Sequence, residues 1–248
     1  AQATVTGSEA FPIGTSINGV AYGNSVYVAV GASGYILKST NVTSWTVVKN
    51  SSFLNTTYNK VAFGGGLFAA VTSDGKILTS PDGDTWTQQT SGTTAVLNDI
   101  VYANSMFFVA GNDNTALTST NGTTWASLNI GAASADDLMN VVYAQGKFVV
   151  GVRDDATAGS KSFYSTTGAA GTWSNVTIAS GGNSLNRISF LNNKFFCFTS
   201  STNIYSSTDG VSWSSFVNAT LTTPNQVFHG FYDGTKYYMF GSSSTYGY

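Results

Sequence analysis

Ser80-Pro-Asp-Gly-Asp-Thr-Trp86 is one of five versions of a phrase that together hold every tryptophan in the chain. The others are Ser39-Thr-Asn-Val-Thr-Ser-Trp45, Ser119-Thr-Asn-Gly-Thr-Thr-Trp125, Ser207-Thr-Asp-Gly-Val-Ser-Trp213 and a stretched copy from Ser165 to Trp173. Upstream of each lies an aromatic anchor two residues after an aliphatic one: Tyr22, Phe63, Tyr102, Tyr143 and Phe190, with Phe231 as a sixth. The intervals between anchors are 41, 39, 41, 47 and 41 residues. Each unit holds four short apolar or alternating runs separated by Gly-, Asn- and Asp-rich turns, and none has helical periodicity. Four strands in about 40 residues is the pattern of a propeller blade.

The residues beyond Phe231 and those up to Tyr22 together make 39, one further period. The expectation is an all-β, six-bladed β-propeller of four-stranded antiparallel blades, a single domain over 1–248. Its last blade takes residues 227–248 and is closed by an N-terminal strand at 3–7. In the second unit the strands fall at Val61–Phe63, Leu67–Val71, Lys76–Ser80 and Thr85–Gln88.

The phrase has a physical reason. Ser and Asp side chains accept hydrogen bonds from backbone amides in a tight turn, and Gly takes the positive φ there. It resembles the Asp-box (BNR-like) repeat of sialidase-type propellers and photosystem II assembly factors. Asp82-Gly83 and Asp209-Gly210 match that repeat fully; Asn41 and Asn121 replace the Asp, Val42 a Gly, and Thr167 with two added residues distorts the fourth copy. In such propellers Asp boxes are structural turns away from the active face. The resemblance therefore gives Asp82, Asp209, Trp45, Trp86, Trp125, Trp173 and Trp213 turn and core roles.

The residue inventory argues against catalysis. Sialidases, by that resemblance, hold a carboxylate with three arginines, and this chain has Arg153 and Arg187 alone. Glu9 is the single Glu and His229 the single His, so neither a facing carboxylate pair nor a Ser-His-Asp triad stands out. His229 aligns with Val20, Val61, Ile100, Val141 and Ile188, which predicts an inward, packed position. Cys197, alone and within an apolar run, reads as a small buried hydrophobe. No catalytic residue, metal or cofactor is expected.

Charged residues are 9% of the 248 and the net charge is -2, without a basic stripe. Nucleic acid is therefore not an expected partner. No run of eighteen apolar residues occurs, so membrane insertion is not expected either. The Ser-, Thr-, Asn- and Gly-rich surface points to an extracellular or virion-surface setting, and the opening Ala1-Gln2-Ala3 without a Met suits a processed chain.

The fourth unit departs from the others. It carries seven extra residues, five of them in the stretch Arg153 to Lys161 between its second and third strands. That stretch predicts a charged loop in which Arg153, Asp154, Asp155 and Lys161 lie beside Asp136 and Asp137, on the face that also carries Asp74 and Asp113. This is the candidate ligand-binding rim, for a glycan or protein surface. Tyr35, Tyr58, Tyr246 and Tyr248 lie outside the repeated positions and are candidate aromatic contacts. The functions in view are a non-catalytic recognition, adhesion or surface-display module; a structural decoration or assembly scaffold within a larger assembly; and a carbohydrate-active enzyme.

Overall fold

Strand pairing follows from the turns. Between the first two strands of five repeats, both central residues take positive φ: Asn24-Ser25, Gly65-Gly66, Asn104-Ser105, Gln145-Gly146 and Asn192-Asn193. That is the geometry of a two-residue hairpin matched to strand twist, and Asn and Gly are the residues that tolerate it. The computed structural model describes residues 4–6, 15–48, 56–154, 156, 159–216 and 226–242. They form six sheets, in two compact units.

The first unit spans residues 1–111 and 115–128. Its first sheet contains β1 (Thr4–Thr6), β2 (Ile17–Gly23), β3 (Val26–Gly31), β4 (Ile36–Ser39) and β5 (Ser44–Val48), in the order β1-β5-β4-β3-β2. The second holds β6 (Tyr58–Gly64), β7 (Leu67–Thr72), β8 (Ile77–Ser80) and β9 (Thr87–Gln89). The third holds β10 (Leu97–Ala103), β11 (Met106–Gly111), β12 (Thr115–Ser119) and β13 (Ala126–Ser127). The expected strands of the second repeat thus lie within three residues of the observed ones.

The second unit spans residues 112–114 and 129–248. It contains β14 (Asp137–Ala144), β15 (Lys147–Asp154), β16 (Gly159–Ser165) and β17 (Ser174–Ala179). The next sheet holds β18 (Leu185–Leu191), β19 (Lys194–Thr199), β20 (Ile204–Ser207) and β21 (Ser214–Ser215). The last, among the described residues, is the pair β22 (Gln226–Tyr232) and β23 (Tyr237–Ser242).

Three expectations are corrected here. The N-terminal strand does not complete the last sheet: β1 runs parallel to β5, with Thr4, Val5 and Thr6 opposite Ser44, Trp45 and Thr46. β5 is the outermost of strands β2 to β5, and the chain start adds to its outer edge. Residues 243–248, where the last repeat's third strand was expected, lie outside the described residues. The sixth anchor is Tyr232 and not Phe231, because Tyr232 faces Tyr237 across the hairpin as Tyr22 faces Tyr27. The rings sit 4.7 and 4.5 Å apart in these two pairs, against 4.7 Å for Phe63–Phe68. His229 moves with that register. It aligns with Gly19 and Lys60, the first paired residues after a shared register slip, and it is exposed rather than packed.

The slip recurs in the first hairpin of all six sheets, and the residue it leaves over is Asn in four of them. Asn18 donates its amide to the Tyr58 carbonyl (2.9 Å) and Asn59 to the Leu97 carbonyl (2.8 Å), tying each sheet to the next. Glycine supports the same stacking: a Cβ on Gly23 would lie 2.1 Å from the Phe63 ring, and one on Gly64 1.9 Å from the Tyr102 ring. Between the first two sheets of the first unit, Val28, Val30, Ile36, Tyr58, Phe68, Leu78 and Trp86 form a buried cluster.

Candidate functional site

The polar phrase builds its turn as the chemistry demands. In the second repeat Ser80 Oγ accepts the Gly83 amide at 2.8 Å, and Asp82 Oδ1 accepts the amides of Asp84 and Thr85 at 2.9 and 3.0 Å. Those two amides lead the causes that hold the Asp82 carboxyl below its ordinary range. The Ser212 and Val211 amides do the same, more strongly, for Asp209. Asn121 replaces Asp82's role without charge, accepting the amides of Thr123 and Thr124 at 2.9 Å each. The indole Nε1 of Trp45, Trp86 and Trp125 donates back to the carbonyl three residues earlier at 3.0–3.1 Å. Trp213 donates instead to Ser162 Oγ. Trp86 is buried, while Trp45, Trp125, Trp173 and Trp213 are half-buried. Trp45, Trp86 and Trp125 thus clamp their own turns as well as packing.

The fourth repeat gathers five of the six candidate rim residues; the sixth, Asp155, lies outside the described residues. The extra residues lengthen strands rather than a loop: β15 and β16 stay paired out to Asp154 opposite Gly159. This differs from the expected solvated loop, and it buries the acids. Asp136, Asp137 and Asp154 are 1%, 5% and 6% exposed. Burying carboxylates demands partners. Arg153 donates to Asp137 Oδ2, and the Asp113 amide donates to its Oδ1 at 3.1 Å. Lys161 Nζ lies 2.9 Å from Asp154 and 3.4 Å from Asp136. Burial works against the lysine's charge, but Asp154 and Asp136 overcome it and raise its pKa. The result is an ion-paired polar block whose cations reach solvent in part, the Arg153 and Lys161 side chains being 36% and 24% exposed.

Residues 3–126, half of the 248, match the model of the DUF6242 beta propeller domain. The chain belongs to that family. No curated protein matches the sequence. Among solved structures, YCF48 bound to D1 peptide is similar over 95% of this chain and 78% of its own, with 16% identity and a TM-score of 0.68. An ancestral GH74 enzyme matches 87% of this chain at 15% identity and a TM-score of 0.66. This chain spans about a third of that enzyme, 32%. A chain of the COPII outer coat vertex matches 88% at 11% identity, 64% of its own length and a TM-score of 0.63. At such identities the likeness is one of fold.

Elsewhere in this DUF6242 propeller, the second repeat holds a smaller polar network. Asp74 Oδ1 accepts from Thr56 and Thr72 hydroxyls at 2.6 Å each, and Lys76 closes on Oδ2. Burial opposes the Asp74 charge, yet Lys76, Thr56 and Thr72 hold its carboxyl down to about 2. Tyr58, expected at the surface, is fully buried, and burial pushes its phenol up. Tyr35 is half-buried; Tyr246 and Tyr248 lie outside the described residues. Cys197 is fully buried and burial raises its thiol, so it behaves as core. Among the described residues no three His, Cys, Asp or Glu side chains are placed to hold a metal ion, and no helix is long and apolar enough to cross a membrane. The bulge asparagines escaped sequence reading, although Asn18, Asn59, Asn98 and Asn186 recur four residues before their anchors and carried that signal.

Proposed function

We propose that this DUF6242 propeller is a non-catalytic recognition module that binds a protein or glycan partner in an extracellular or virion-surface setting. The polar phrases are taken as Asp boxes, structural turns in that module. The contact face is the fourth repeat's charged block. One observation carries this reading. A strand extension that occurs in one repeat alone is stiffened by buried carboxylates, so that Arg153 and Lys161 are presented on a fixed scaffold. Preorganised cations of this kind recognise a partner at low ordering cost. The same ion pairs engage Asp136, Asp137 and Asp154, so these three are not a free facing pair of the kind glycoside hydrolysis uses. Two structures of like fold support a binding role, since one is of YCF48 bound to D1 peptide and another is part of a coat assembly.

A glycan array and native mass spectrometry with the purified chain supply a binder. Titration of that binder against Arg153→Gln, which keeps a donor toward Asp137, then tests the face. The expected loss is about 1–3 kcal/mol of affinity, the scale of an interface hot spot, with Lys76→Gln unchanged. Equal binding by Arg153→Gln rejects this face, and turnover of an arrayed glycan rejects the non-catalytic reading.

A further inference from the structure

The outer strands of the sheets are unequal. β9 has three residues, β13 two and β21 two. β17 has six, but its pairing slips between Ser160 and Lys161, and such a slip bends an edge away from further pairing. β5 has five residues, of which Thr46 to Val48 pair with β4 in unbroken register and Ser44 to Thr46 pair with β1. It is uncharged, Ser-Trp-Thr-Val-Val, with Ser44 and Thr46 exposed. Among the described residues it is the outer edge on which another strand is seated.

That seated strand is weakly held. It contributes three residues in parallel pairing, the less stable arrangement per residue. Among the described residues it covers Ser44 to Thr46 and does not reach Val47 or Val48. The ten residues between Thr6 and Ile17 reach up to about 33–36 Å when extended. Crossing the sheet from β2 to β1 takes four strand spacings, about 19 Å. The connection is therefore longer than the crossing requires.

We propose that the outer edge of β5 is a docking surface for an extended, uncharged, β-branched peptide segment lying parallel to it, and that Thr4–Thr6 is a built-in occupant which such a partner displaces. The Thr-Val-Thr strand shows the chemistry and direction the edge accepts. Main-chain pairing supplies the affinity in this mode of recognition. A tethered strand competes at millimolar effective concentration, so the displacing segment pairs with all five residues from Ser44 to Val48, two more than β1. This surface is separate from the fourth repeat, and its failure leaves the reading of that face intact.

The probe is a dye-labelled synthetic peptide of residues Ala1 to Ser8, titrated against the full chain by fluorescence anisotropy. Val5→Pro disables the built-in strand, since proline locks φ at about −65°, away from the roughly −120° of a parallel strand, and removes a backbone N–H; this variant is expected to bind the peptide at least tenfold tighter than the parent. In Thr4→Cys/Ser44→Cys the thiols sit on residues that are opposite in register, within reach of a disulfide. Cys197 is buried and stands apart from that chemistry. The oxidised form is expected to lose binding at least tenfold relative to its reduced form. Equal affinity of Val5→Pro and parent, undiminished binding by the oxidised form, equal binding of a scrambled peptide, or no binding by any form overturns the proposal. Should Val5→Pro fail to fold, the oxidised and reduced forms decide.

Discussion

In the second repeat, Asp74 stands in a four-residue turn whose chain reverses within Thr72 to Lys76, and its carboxylate is satisfied by hydroxyls and a lysine that water also reaches. In the fourth repeat the same hairpin runs on to Asp154 and Gly159, and its acids sink to a few per cent exposure against Arg153 and Lys161. Their polar phrases differ in the same sense. Asp82 accepts two amides, whereas Thr167 Oγ1 accepts the single amide of Ala169, and Thr172 closes the two-residue excess by donating to the Ala169 carbonyl. A tight turn satisfies an acid with its own sequence neighbours and leaves it wet. A lengthened hairpin takes the acid out of water, and only a cation from another strand then makes the burial tolerable.

The largest break in this comparison comes from the lysines. Lys161→Met strands two buried carboxylates and is expected to cost about 3 kcal/mol. Lys76→Met, at an exposed pair, costs less than about 1 kcal/mol. Urea unfolding of the two variants checks the contrast, and similar midpoints would show that the fourth repeat's acids are as wet as Asp74. Next come the turns. Asp82→Ala removes two amide bonds and is expected to cost about 1–2 kcal/mol, on the scale of a lost cap. Asp82→Asn costs little, since Asn121 already performs that role, and Thr167→Ala costs about 0.5 kcal/mol. The same unfolding curves rank all three.

The smallest effect is one of pH. Asp74 is held down to about 2 in the folded chain, against about 3.9 when unfolded. The unfolded chain therefore binds the proton first as pH falls. The stabilisation from Asp74 is whole above pH ~4 and is lost as pH falls through about 2. Asp74→Asn should flatten the melting temperature between pH 5 and 2, while Asp82 and Asp209, lowered in the same direction, keep a residual slope. A variant that retains the parent's full slope would place the acid sensitivity elsewhere.

Period and phrase were sufficient for the order of the four strands in each of the first five repeats, because a 40-residue unit with tight Asn and Gly turns leaves each strand one neighbour to pair with. Phe231 misled because six repeats were matched by residue type, and only pairing shows that Tyr232 faces Tyr237. The ends misled for a related reason. Counting residues measures length, and length does not say which of several open edges a free strand joins; β1 joined the outer edge of β5. The charged stretch of the fourth repeat was visible as composition, but whether Asp154 lies in a loop or a strand rests on pairing beyond the turn.

The sequence by itself determined the all-β class, the four-strand unit and the polar turn, each a matter of residues within about ten positions of one another. The tertiary structure alone decided which edge takes the N-terminal strand, which asparagines tie sheet to sheet, and that the acids of the fourth repeat are buried. Those depend on what another strand brings alongside: the recurring asparagines are visible as a spacing, but their partners 18 to 48 residues away are not.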